Sequence, residues 1–408
     1  MIQLTFVLPI CFLLIVVAMW FAFGKDEKVM NHIEYYPPKG CNSAETGFFY
    51  KGKVDTQDVV SLLIYLAARG YIKITETSEK SLFTTVGRFT ITKLKDYDGD
   101  NPNERMFLNG LFKSRAAEPS LKDMLSGLIN PEAVLSDDTA SEVTEIHLED
   151  LKNSFYLTVN AIIANMNKKE NRERLFETNS LNKRLPIAIM CISAFLLITV
   201  RPMLEYHDHL FMLLVLLFPA IGFFILFLAL FTDSMKTVIV NGVPTNKRSA
   251  GLTFGLVFGL GFGGLPFAFL VLPALLLKTV YWTAFLTGIT CIVLMLLLEI
   301  RMKKRTTSGN ELLGKIKGFK RFLETADRHR LEQIAGQSPN YFFNILPYTY
   351  VFGIMDLWIK KFENIAIKQP GWYSGSSDFN HASVGRFMNE LMKNAFAAMA
   401  SSPNTNKN

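Results

Sequence analysis

Four apolar runs near the middle of the chain decide its fold. In chain order they are LPIAIMCISAFLLITV (185–200), LFMLLVLLFPAIGFFILFLALF (210–231), GLTFGLVFGLGFGGLPFAFLVLPALLL (251–277) and VYWTAFLTGITCIVLMLLL (280–298). None of the four contains a charged residue. A helix that crosses the hydrocarbon core needs about 20 apolar residues, and each unpaired backbone group in lipid costs several kcal/mol. The runs therefore predict a membrane domain of four spans over residues 183–300.

A fifth apolar run, residues 4–23, opens the chain and is followed by Gly24-Lys25-Asp26. It has no basic region before it and no small-residue cleavage site, so it predicts an uncleaved membrane anchor over residues 1–23. The polar stretch of about 160 residues that follows is long enough for a folded domain.

Composition agrees with a membrane protein, because 50% of the 408 residues are hydrophobic and the formal net charge is +7. A basic excess can indicate nucleic-acid binding, but in membrane proteins it more often marks cytoplasmic loops. Three of the four cysteines lie in apolar runs and none forms a CxxC pair. We therefore expect no disulfide framework, no metal site and no cofactor.

Lysine and arginine positions predict the orientation of the five spans. Basic residues cluster after the first span, before the second, between the third and fourth, and after the fifth; they are Lys25, Lys28, Arg172, Arg174, Lys183, Arg184, Lys236, Lys247, Arg248, Arg301, Lys303, Lys304 and Arg305. The loop 201–209 and the turn at Lys278 carry one basic residue each. The N-terminus is predicted outside, with residues 24–184, 232–250 and 301–408 in the cytoplasm.

The first cytoplasmic region, residues 24–182, has the pattern of a small α+β module. Ser43 is a candidate cap for a helix through Tyr50, and Asp55 or Thr56 for a second helix that ends at Ala68 before Gly70. Residues 71–75 alternate as a strand, and Phe89 and Ile91 mark another. Helix, strand, loop and strand in this order end a winged helix. Helices over 104–112 and 148–166 would belong to a second module, which gives a tandem winged-helix-like region.

The helix before the predicted wing also bears on function. Its predicted solvent stripe is Asp58, Ser61, Tyr65 and Ala68. Asp58 would repel DNA phosphates, and sequence-specific DNA binding needs several Lys or Arg contacts. This face therefore favours a protein interface over nucleic acid.

The C-terminal region, residues 301–408, is predicted to be helical. Leu312, Ile316, Phe319 and Leu323 form one apolar helix face, flanked by Lys315, Lys317, Lys320 and Arg321. Such a helix beside a membrane favours anionic headgroups, although packing on its own hairpin explains the pattern equally well. An apolar helix over about 341–362, a linker at 370–377 and a last amphipathic helix at 384–396 complete the region.

Several short motifs together resemble a known family. They are GKD (24–26), YPPKG (36–40), SAE (43–45), KGKVD (51–55), LAARGYIKI (66–74), LETADR (323–328), PNYF (339–342), LPY (346–348) and WYSG (372–375). They are similar to the YciQ-like predicted bacterial membrane proteins, a family of unknown function. The resemblance implies the bacterial plasma membrane. Members usually carry a large extracytoplasmic domain before the first span, whereas this chain starts at the span.

Three polar clusters are candidate sites. Glu205, His207, Asp208 and His209 could bind metal, but a solvated loop is favoured. Asp96, Asp98 and Asp100 resemble a calcium loop, but the sixth and twelfth positions are Asn101 and Phe107, so a turn is favoured. The charged residues over 324–332 fit ordinary surface ion pairs better than proton chemistry. No catalytic, cofactor-binding or metal residue is therefore predicted.

Glycine recurs every four residues at Gly251, Gly255, Gly259 and Gly263, and Pro266 lies just beyond as a possible break in the helix. Such a groove lets another helix approach closely in lipid. Packing against another span of the same chain is favoured over a homo-oligomer, and a pore lining comes last.

The predicted fold class is a multi-pass α-helical membrane protein with cytoplasmic α+β winged-helix-like modules and a helical C-terminal region. The predicted function is a non-enzymatic membrane-anchored scaffold or envelope-signalling component that contacts membrane lipids and an unknown protein partner. A membrane-tethered nucleic-acid-binding regulator is the alternative, followed by a small channel or transporter. Spans without ionisable residues disfavour a driven transporter, and an enzyme is the least favoured class.

Overall fold

The computed structural model describes residues 2–25, 29, 33–80, 85–113, 143–177, 184–206, 236–240, 243–247, 272, 278–300, 304–375 and 379–402. The chain divides into two units. Unit 1 comprises Met1–Lys28, Phe176–Val240 and Pro244–Thr307, and unit 2 comprises Val29–Leu175, Asn241–Val243 and Ser308–Asn408. The predicted spans at 210–231 and 251–277, including the four glycines, lie outside the described residues.

The secondary structure is mostly helical, with one small mixed sheet and one hairpin. In chain order the elements of the first half are α1 Ile2–Met19 with a π-helical turn Trp20–Gly24, α2 Ser43–Lys51, α3 Thr56–Val60, α4 Leu62–Ala68, β1 Ile72–Lys80, β2 Thr85–Lys93, α5 Pro102–Phe112, β3 Glu145–His147, a 3-10 turn Leu148–Leu151, α6 Tyr156–Met166 and α7 Lys169–Leu175. Those of the second half are α8 Arg184–Tyr206, β4 Lys236–Val240, β5 Val243–Lys247, α9 Thr279–Ile300, α10 Thr307–Thr325, α11 Arg328–Gln337, α12 Tyr341–Val351, α13 Met355–Lys361, β6 Tyr373–Ser374 and α14 His381–Ala400.

In unit 1, helices α1, α8 and α9 pack on one another. Their shared core contains Val16, Ile187, Cys191, Ala194 and Met295. Other large apolar side chains of these helices are exposed, among them Leu14, Phe21, Ile189, Val293 and Leu297. Two stretches are long and apolar enough to cross a bilayer, Thr5–Gly24 and Thr279–Glu299, while the apolar part of α8, Pro186–Val200, is shorter. The structure thus has helices at the first, second and fifth predicted spans.

The fifth span differs from its prediction at its end. The apolar run stops at Leu298, but α9 continues to Ile300 and buries Glu299, which is only 4% exposed. The expectation that the spans contain no ionisable residue is therefore wrong for this helix. Two more helical residues, Glu299 and Ile300, bring the carboxylate into the buried part of the helix.

In unit 2, the short helices follow the predicted pattern only in part. The single helix predicted to end at Ala68 is two helices, α3 and α4, and the helix predicted over 148–166 is a 3-10 turn followed by α6. Asn42, not Ser43, caps α2, because its Oδ1 accepts from the backbone N–H of Glu45 at 2.8 Å. Asp55 precedes α3, and its own N–H donates to the carboxylate of Asp58 at 2.9 Å. Gly70 follows α4 with φ +78°, a left-handed conformation that glycine adopts at little cost.

The sheet of unit 2 has the order β3-β2-β1-β6. β1 and β2 form an antiparallel hairpin in which Ile72 faces Lys93, and β6 pairs parallel to β1 with Ile74 facing Tyr373. The predicted linker at 370–377 is therefore wrong at its centre. The Ile74 N–H donates to the Trp372 carbonyl at 2.8 Å, and the Trp372 and Tyr373 side chains are buried.

C-terminal helices complete the core of unit 2. α12 packs on α2 and α4, and α14 packs on α3, α6 and the 3-10 turn. The predicted helix through 362 is interrupted at Gly353, where φ is +70°. All six apolar positions predicted for the last helix, Val384, Phe387, Met388, Leu391, Met392 and Phe396, are buried. Residues 29–175 and 308–402, predicted as separate regions, thus share one core.

Candidate functional site: two helix N-termini joined by asparagine and glutamate

The predicted interface face of α3 and α4 is covered. Asp58 and Ser61 are fully buried and Tyr65 is 7% exposed, so the prediction of a solvent stripe is wrong. The reason is α12, whose Tyr348 ring lies 6.3 Å from that of Tyr65 and whose Tyr350 carbonyl accepts from Gln57 at 2.8 Å. The sequence could not show that a helix 280 residues away in the chain would occupy this face.

Asp58 is the buried member of a small ion-pair cluster whose other members, Lys51 and Asp55, are partly exposed. The Lys51 Nζ lies 2.7 Å from Asp58 Oδ1 and 2.9 Å from Asp55 Oδ2. Burial raises the pKa of Asp58 to about 6, although the charge of Lys51 and its hydrogen bond act in the opposite direction. The cluster joins the end of α2 to the start of α3.

A second polar cluster joins the N-termini of α2 and α5 by reciprocal contacts. Asn42 caps α2, and its Nδ2 donates to Glu104 Oε1 of α5 at 2.9 Å. Asn101 caps α5 by accepting from the Asn103 N–H at 3.0 Å, and its Nδ2 donates to Glu45 Oε1 of α2 at 2.7 Å. Each asparagine thus caps its own helix and holds the glutamate of the other.

The remaining carboxylate oxygens of this cluster also have donors. The Asn42 backbone N–H donates to Glu45 Oε2 at 3.0 Å, and the Tyr97 hydroxyl donates to Glu104 Oε2 at 3.0 Å. The Tyr97 hydroxyl in turn accepts from the Asn101 N–H at 3.2 Å. All four oxygens therefore accept a hydrogen bond from the protein, as buried carboxylates require.

Tyrosines and cations line the outer side of this cluster. The rings of Tyr71 and Tyr97 lie 5.2 Å apart, and Lys95 sits 4.3 Å above the Tyr71 ring. Arg105 and Arg69 sit 5.9 Å and 5.0 Å from the rings of Tyr97 and Tyr65. The Tyr71 hydroxyl donates to Asp98, which also accepts from Lys95.

Burial is the largest cause of the raised pKa values of Glu45 and Cys41. It raises the pKa of Glu45, the charge of Glu104 adds to the rise, and the Asn42 N–H, the Asn101 amide and Arg174 oppose it. Burial, with the charge of Glu45, raises the pKa of the adjacent Cys41 to about 11. The Cys41 thiol is therefore protonated near neutral pH and is a poor nucleophile.

This geometry suits a structural joint better than a reaction centre. A general acid or base must reach a substrate proton, but all four of these carboxylate oxygens are occupied by donors from the protein. Within the described residues, no group of three or more His, Cys, Asp or Glu side chains is placed to hold a metal ion.

The four predicted lipid-surface residues differ in their contacts. Lys315 pairs with Glu311 at 2.8 Å, and Lys320 lies 3.3 Å from both Glu324 and the Tyr50 hydroxyl. Lys317 and Arg321 are exposed and, among the described residues, have no ion pair. The apolar face between them is occupied within unit 2, since Ile316, Phe319 and Leu323 are buried.

Residues of two of the three candidate polar clusters form ion pairs or a helix cap. Asp96 lies 2.5 Å from Lys93, and Asp98 lies 3.0 Å from Lys95. Asp327 caps α11, and Arg328 pairs with Glu332 at 2.6 Å. The histidines of the loop at 205–209 lie outside the described residues.

The reciprocal joint was missed from the sequence, although a signal is present. Asn42-Ser43-Ala44-Glu45 and Asn101-Pro102-Asn103-Glu104 both have the spacing of a capping box, with an acid three residues after the cap. The spacing predicts two helix starts. It does not predict that each asparagine reaches across to the other helix.

Comparison with known proteins gives one match. A family model described as "Predicted membrane protein (DUF2207) C-terminal domain" matches residues 32–243 and 231–362. No curated protein and no solved structure matches the chain.

Proposed function

The chain belongs to the DUF2207 family of predicted membrane proteins, and from this premise we propose that it is a non-enzymatic, membrane-anchored scaffold or envelope-signalling component. Unit 2 binds the protein partner, and the apolar helices of unit 1 anchor the chain. The observation that carries this proposal is the composition of unit 2, which takes residues 29–175 and 308–402 from either side of the central apolar block.

The shared core of unit 2 supports a specific membrane topology. Two segments that fold together must lie on the same side of the membrane, so the chain between residues 175 and 308 crosses an even number of times. Helices α8 and α9 account for two crossings, and the apolar runs at 210–231 and 251–277 supply two more. With α1 this makes five spans, with the N-terminus outside and residues 24–184 and 301–408 cytoplasmic, in agreement with the positive-inside bias.

Contacts at the entry to unit 2 support a signalling role. The segment that follows α1 lies against the helices that follow α9: the Tyr341 hydroxyl donates to the Tyr35 carbonyl at 2.5 Å, and the Tyr348 hydroxyl donates to the Cys41 carbonyl at 3.0 Å. Within unit 1, α1 and α9 pack on each other. Within unit 2, these two hydrogen bonds hold the first segment of the unit against α12.

The winged-helix-like interpretation of residues 24–182 is part of the proposal. It rests on the order α4, β1 and β2, with β1 and β2 as an antiparallel hairpin. Coverage of α3 and α4 by α12 removes the face that a DNA reader would place in the major groove, so a nucleic-acid-binding regulator is disfavoured. The exposed Lys317 and Arg321 remain available for anionic headgroups.

A small channel or transporter is the second candidate, because Glu299 is buried among the helices of unit 1. An ionisable residue inside a membrane domain commonly marks an ion or proton pathway. The charge-preserving variant Glu299→Asp and the neutral variant Glu299→Gln separate the two candidates. Ion flux into proteoliposomes that the unsubstituted protein shows and that Glu299→Gln abolishes would favour the channel. The scaffold predicts no flux for the unsubstituted protein or for either variant.

The topology is tested with a reporter that is active only outside the cytoplasm. Fusion after Glu205 should be active, and fusions after Val240 and after Arg305 should be silent. The paired fusions at 175 and 305 should agree with each other, because both flank unit 2. Opposite activities at these two positions would contradict the proposal.

Partner binding is tested by photocrosslinking in cells from exposed positions of unit 2, such as Leu357, which is 40% exposed. A defined protein adduct is expected from unit 2. A probe at Leu14, exposed on unit 1, serves as the control for non-specific capture. The absence of protein adducts from a set of exposed unit 2 positions would contradict the scaffold role.

A further inference from the structure

We infer that α10, α11 and α12 form a groove for a proline-containing segment of a partner protein, and that the chain's own residues 33–41 occupy this groove until the partner displaces them. The inference rests on the proposed function, because it names the chemistry of the protein that unit 2 binds. We call residues 33–41 the strap, and the groove consists of Phe322, Arg330, Tyr341 and Tyr348. The strap and these four residues all belong to unit 2.

Aromatic contacts hold the strap in the groove. The Tyr35 ring lies 4.8 Å from the Phe322 ring of α10, and the Tyr36 ring lies 5.3 Å from the Tyr341 ring of α12, both edge to face. The Arg330 guanidinium of α11 sits 4.8 Å from the Tyr35 ring. Each of the three helices therefore supplies one contact to a tyrosine of the strap.

Two buried hydroxyl groups of α12 bind the backbone of the strap. Tyr341, which is 1% exposed, donates to the Tyr35 carbonyl, and Tyr348, which is 3% exposed, donates to the Cys41 carbonyl. A buried hydroxyl group that loses its acceptor costs free energy. A vacated groove would therefore favour another segment that brings carbonyl acceptors and an aromatic ring.

The strap itself is packed like a bound peptide and not like a part of the core. None of residues 33–41, all of which the structure describes, has a buried side chain or lies in a helix or strand, and Tyr36 is 52% exposed. Pro37 and Pro38 have fixed φ angles and no N–H group to donate. Proline-rich segments bind aromatic-lined grooves because they are stiff before they bind. Displacement of the strap therefore removes few buried side chains from the core.

A partner protein fits the groove better than the strap of a second copy. Each copy has one strap for one groove, so a reciprocal exchange between two copies gains no contact. The chain holds its own strap at an effective concentration on the order of millimolar. A segment of another protein therefore competes poorly until the contacts of the strap weaken, and the strap limits partner binding.

The test measures binding of a fluorescent synthetic peptide of residues 33–42, with Cys41→Ser, to the full chain in detergent by fluorescence anisotropy. The unsubstituted chain should bind the peptide weakly, because its strap competes. Tyr35→Ala with Tyr36→Ala in the chain should raise the affinity for the peptide about tenfold or more, since the strap loses two ring contacts and one cation contact. A peptide of the same composition in scrambled order should bind neither protein.

Tyr341→Phe tests the groove, because it removes one hydroxyl donor and keeps the ring. Added to the Tyr35→Ala, Tyr36→Ala chain, it should lower the affinity for the peptide roughly three- to tenfold, the usual effect of one lost hydrogen bond. Tyr156→Phe is the matched control, because the Tyr156 hydroxyl is also buried but lies on α6 and has no hydrogen bond in the described part of the chain. It should leave the affinity unchanged.

A second measurement needs no substitution in the chain. A peptide that displaces the strap should speed alkylation of the Cys41 thiol, because Cys41 then leaves its contact with Tyr348 of α12. Mass spectrometry resolves Cys41 from the other three cysteines. This measurement decides the question if the Tyr35→Ala, Tyr36→Ala chain fails to fold, and an unchanged alkylation rate at millimolar peptide would then overturn the proposal.

Three further results would overturn the proposal: no peptide binding by the folded Tyr35→Ala, Tyr36→Ala chain, equal binding of the scrambled peptide, or no effect of Tyr341→Phe. Association of two differently tagged copies that requires Tyr35 and Tyr36 would assign the groove to a second copy instead. Photocrosslinked adducts from unit 2 without peptide binding would overturn the groove alone. Peptide binding without any adduct would contradict the scaffold role alone.

Discussion

At the scale of single residues, unit 2 is tightly packed where α2 meets α3 and α12. A Cβ atom added to Gly47 would lie 2.5 Å from Asp58 Oδ1 and 2.9 Å from Val351 Cγ1. Both neighbours are held in place, Asp58 by its ion pair with Lys51 and Val351 by its helix. Only glycine therefore fits this position without a shift of buried atoms.

Gly47→Ala should destabilise unit 2 by about 1–3 kcal/mol, the usual cost of overpacking a core. Gly336→Ala is the matched control, because Gly336 lies within α11 and its added Cβ would have nothing within 4 Å. That control should stabilise by up to about 1 kcal/mol through helix propensity. Chemical denaturation of the full chain in detergent measures both, and equal effects of the two substitutions would contradict this account of Gly47.

Residue exposure was the least predictable property at this scale. Helical periodicity separates the apolar face of α3 and α4 from a polar face, and it assigns Asp58, Ser61 and Tyr65 to water. The structure buries all three, because α12 covers the polar face and supplies the Tyr348 and Tyr350 contacts. Periodicity describes one helix at a time, so it cannot indicate that another helix also covers the polar face.

At the scale of elements, the approach of α8 and α9 in unit 1 depends on another glycine. A Cβ atom on Gly288 would lie 2.7 Å from Ile198 Cγ2 and 2.9 Å from Ile198 Cδ1. Lipid provides no hydrophobic drive between helices, so close packing at such positions carries much of their association.

Gly288→Leu should separate α8 from α9 and lower the thermal stability of unit 1 in detergent, by roughly 1–3 kcal/mol. Thr290 lies two residues further along α9, about 200° around the helix from Gly288 and on its exposed surface, so Thr290→Leu should have little effect. A large loss in Thr290→Leu, or none in Gly288→Leu, would show that the two helices do not depend on this contact.

Elements with a strong period were predicted well, and short ones were not. The helix–strand–strand order from Thr56 to Lys93 and the buried face of α14 follow from spacing alone. β6 has only two residues, Tyr373 and Ser374, which is too short for alternation to be visible. Its glycine- and serine-rich surroundings resemble a linker, and pairing with β1 is what makes it a strand.

At the scale of the whole molecule, the division of unit 2 between two chain segments predicts that neither segment folds alone. Residues 29–175 without the C-terminal helices would leave α4 uncovered and the Ile74 N–H without its Trp372 acceptor. We expect this fragment to show no cooperative thermal unfolding. Co-expression with residues 308–402 should restore a soluble complex with a cooperative transition.

A fused chain in which a Gly/Ser linker replaces residues 176–307 is the control for this experiment, and it should fold as a monomer. A cooperative, monomeric fold of residues 29–175 alone would contradict the prediction. The joining of the two segments was not visible in the sequence, because no local pattern reports which distant helix covers a given face.

The same division has a consequence for biosynthesis. Once residue 175 has left the ribosome, roughly 230 more residues must be made before α14 is complete, which takes about 10 to 45 s at ordinary elongation rates. During this interval the translocon must integrate the central apolar block. The nascent region from α2 to α7 still lacks α12 and α14, the C-terminal helices that pack on it in the folded protein. Until then, this region exposes the apolar surface that chaperones recognise. Its folding therefore depends on completion of membrane insertion and not only on its own exit from the ribosome.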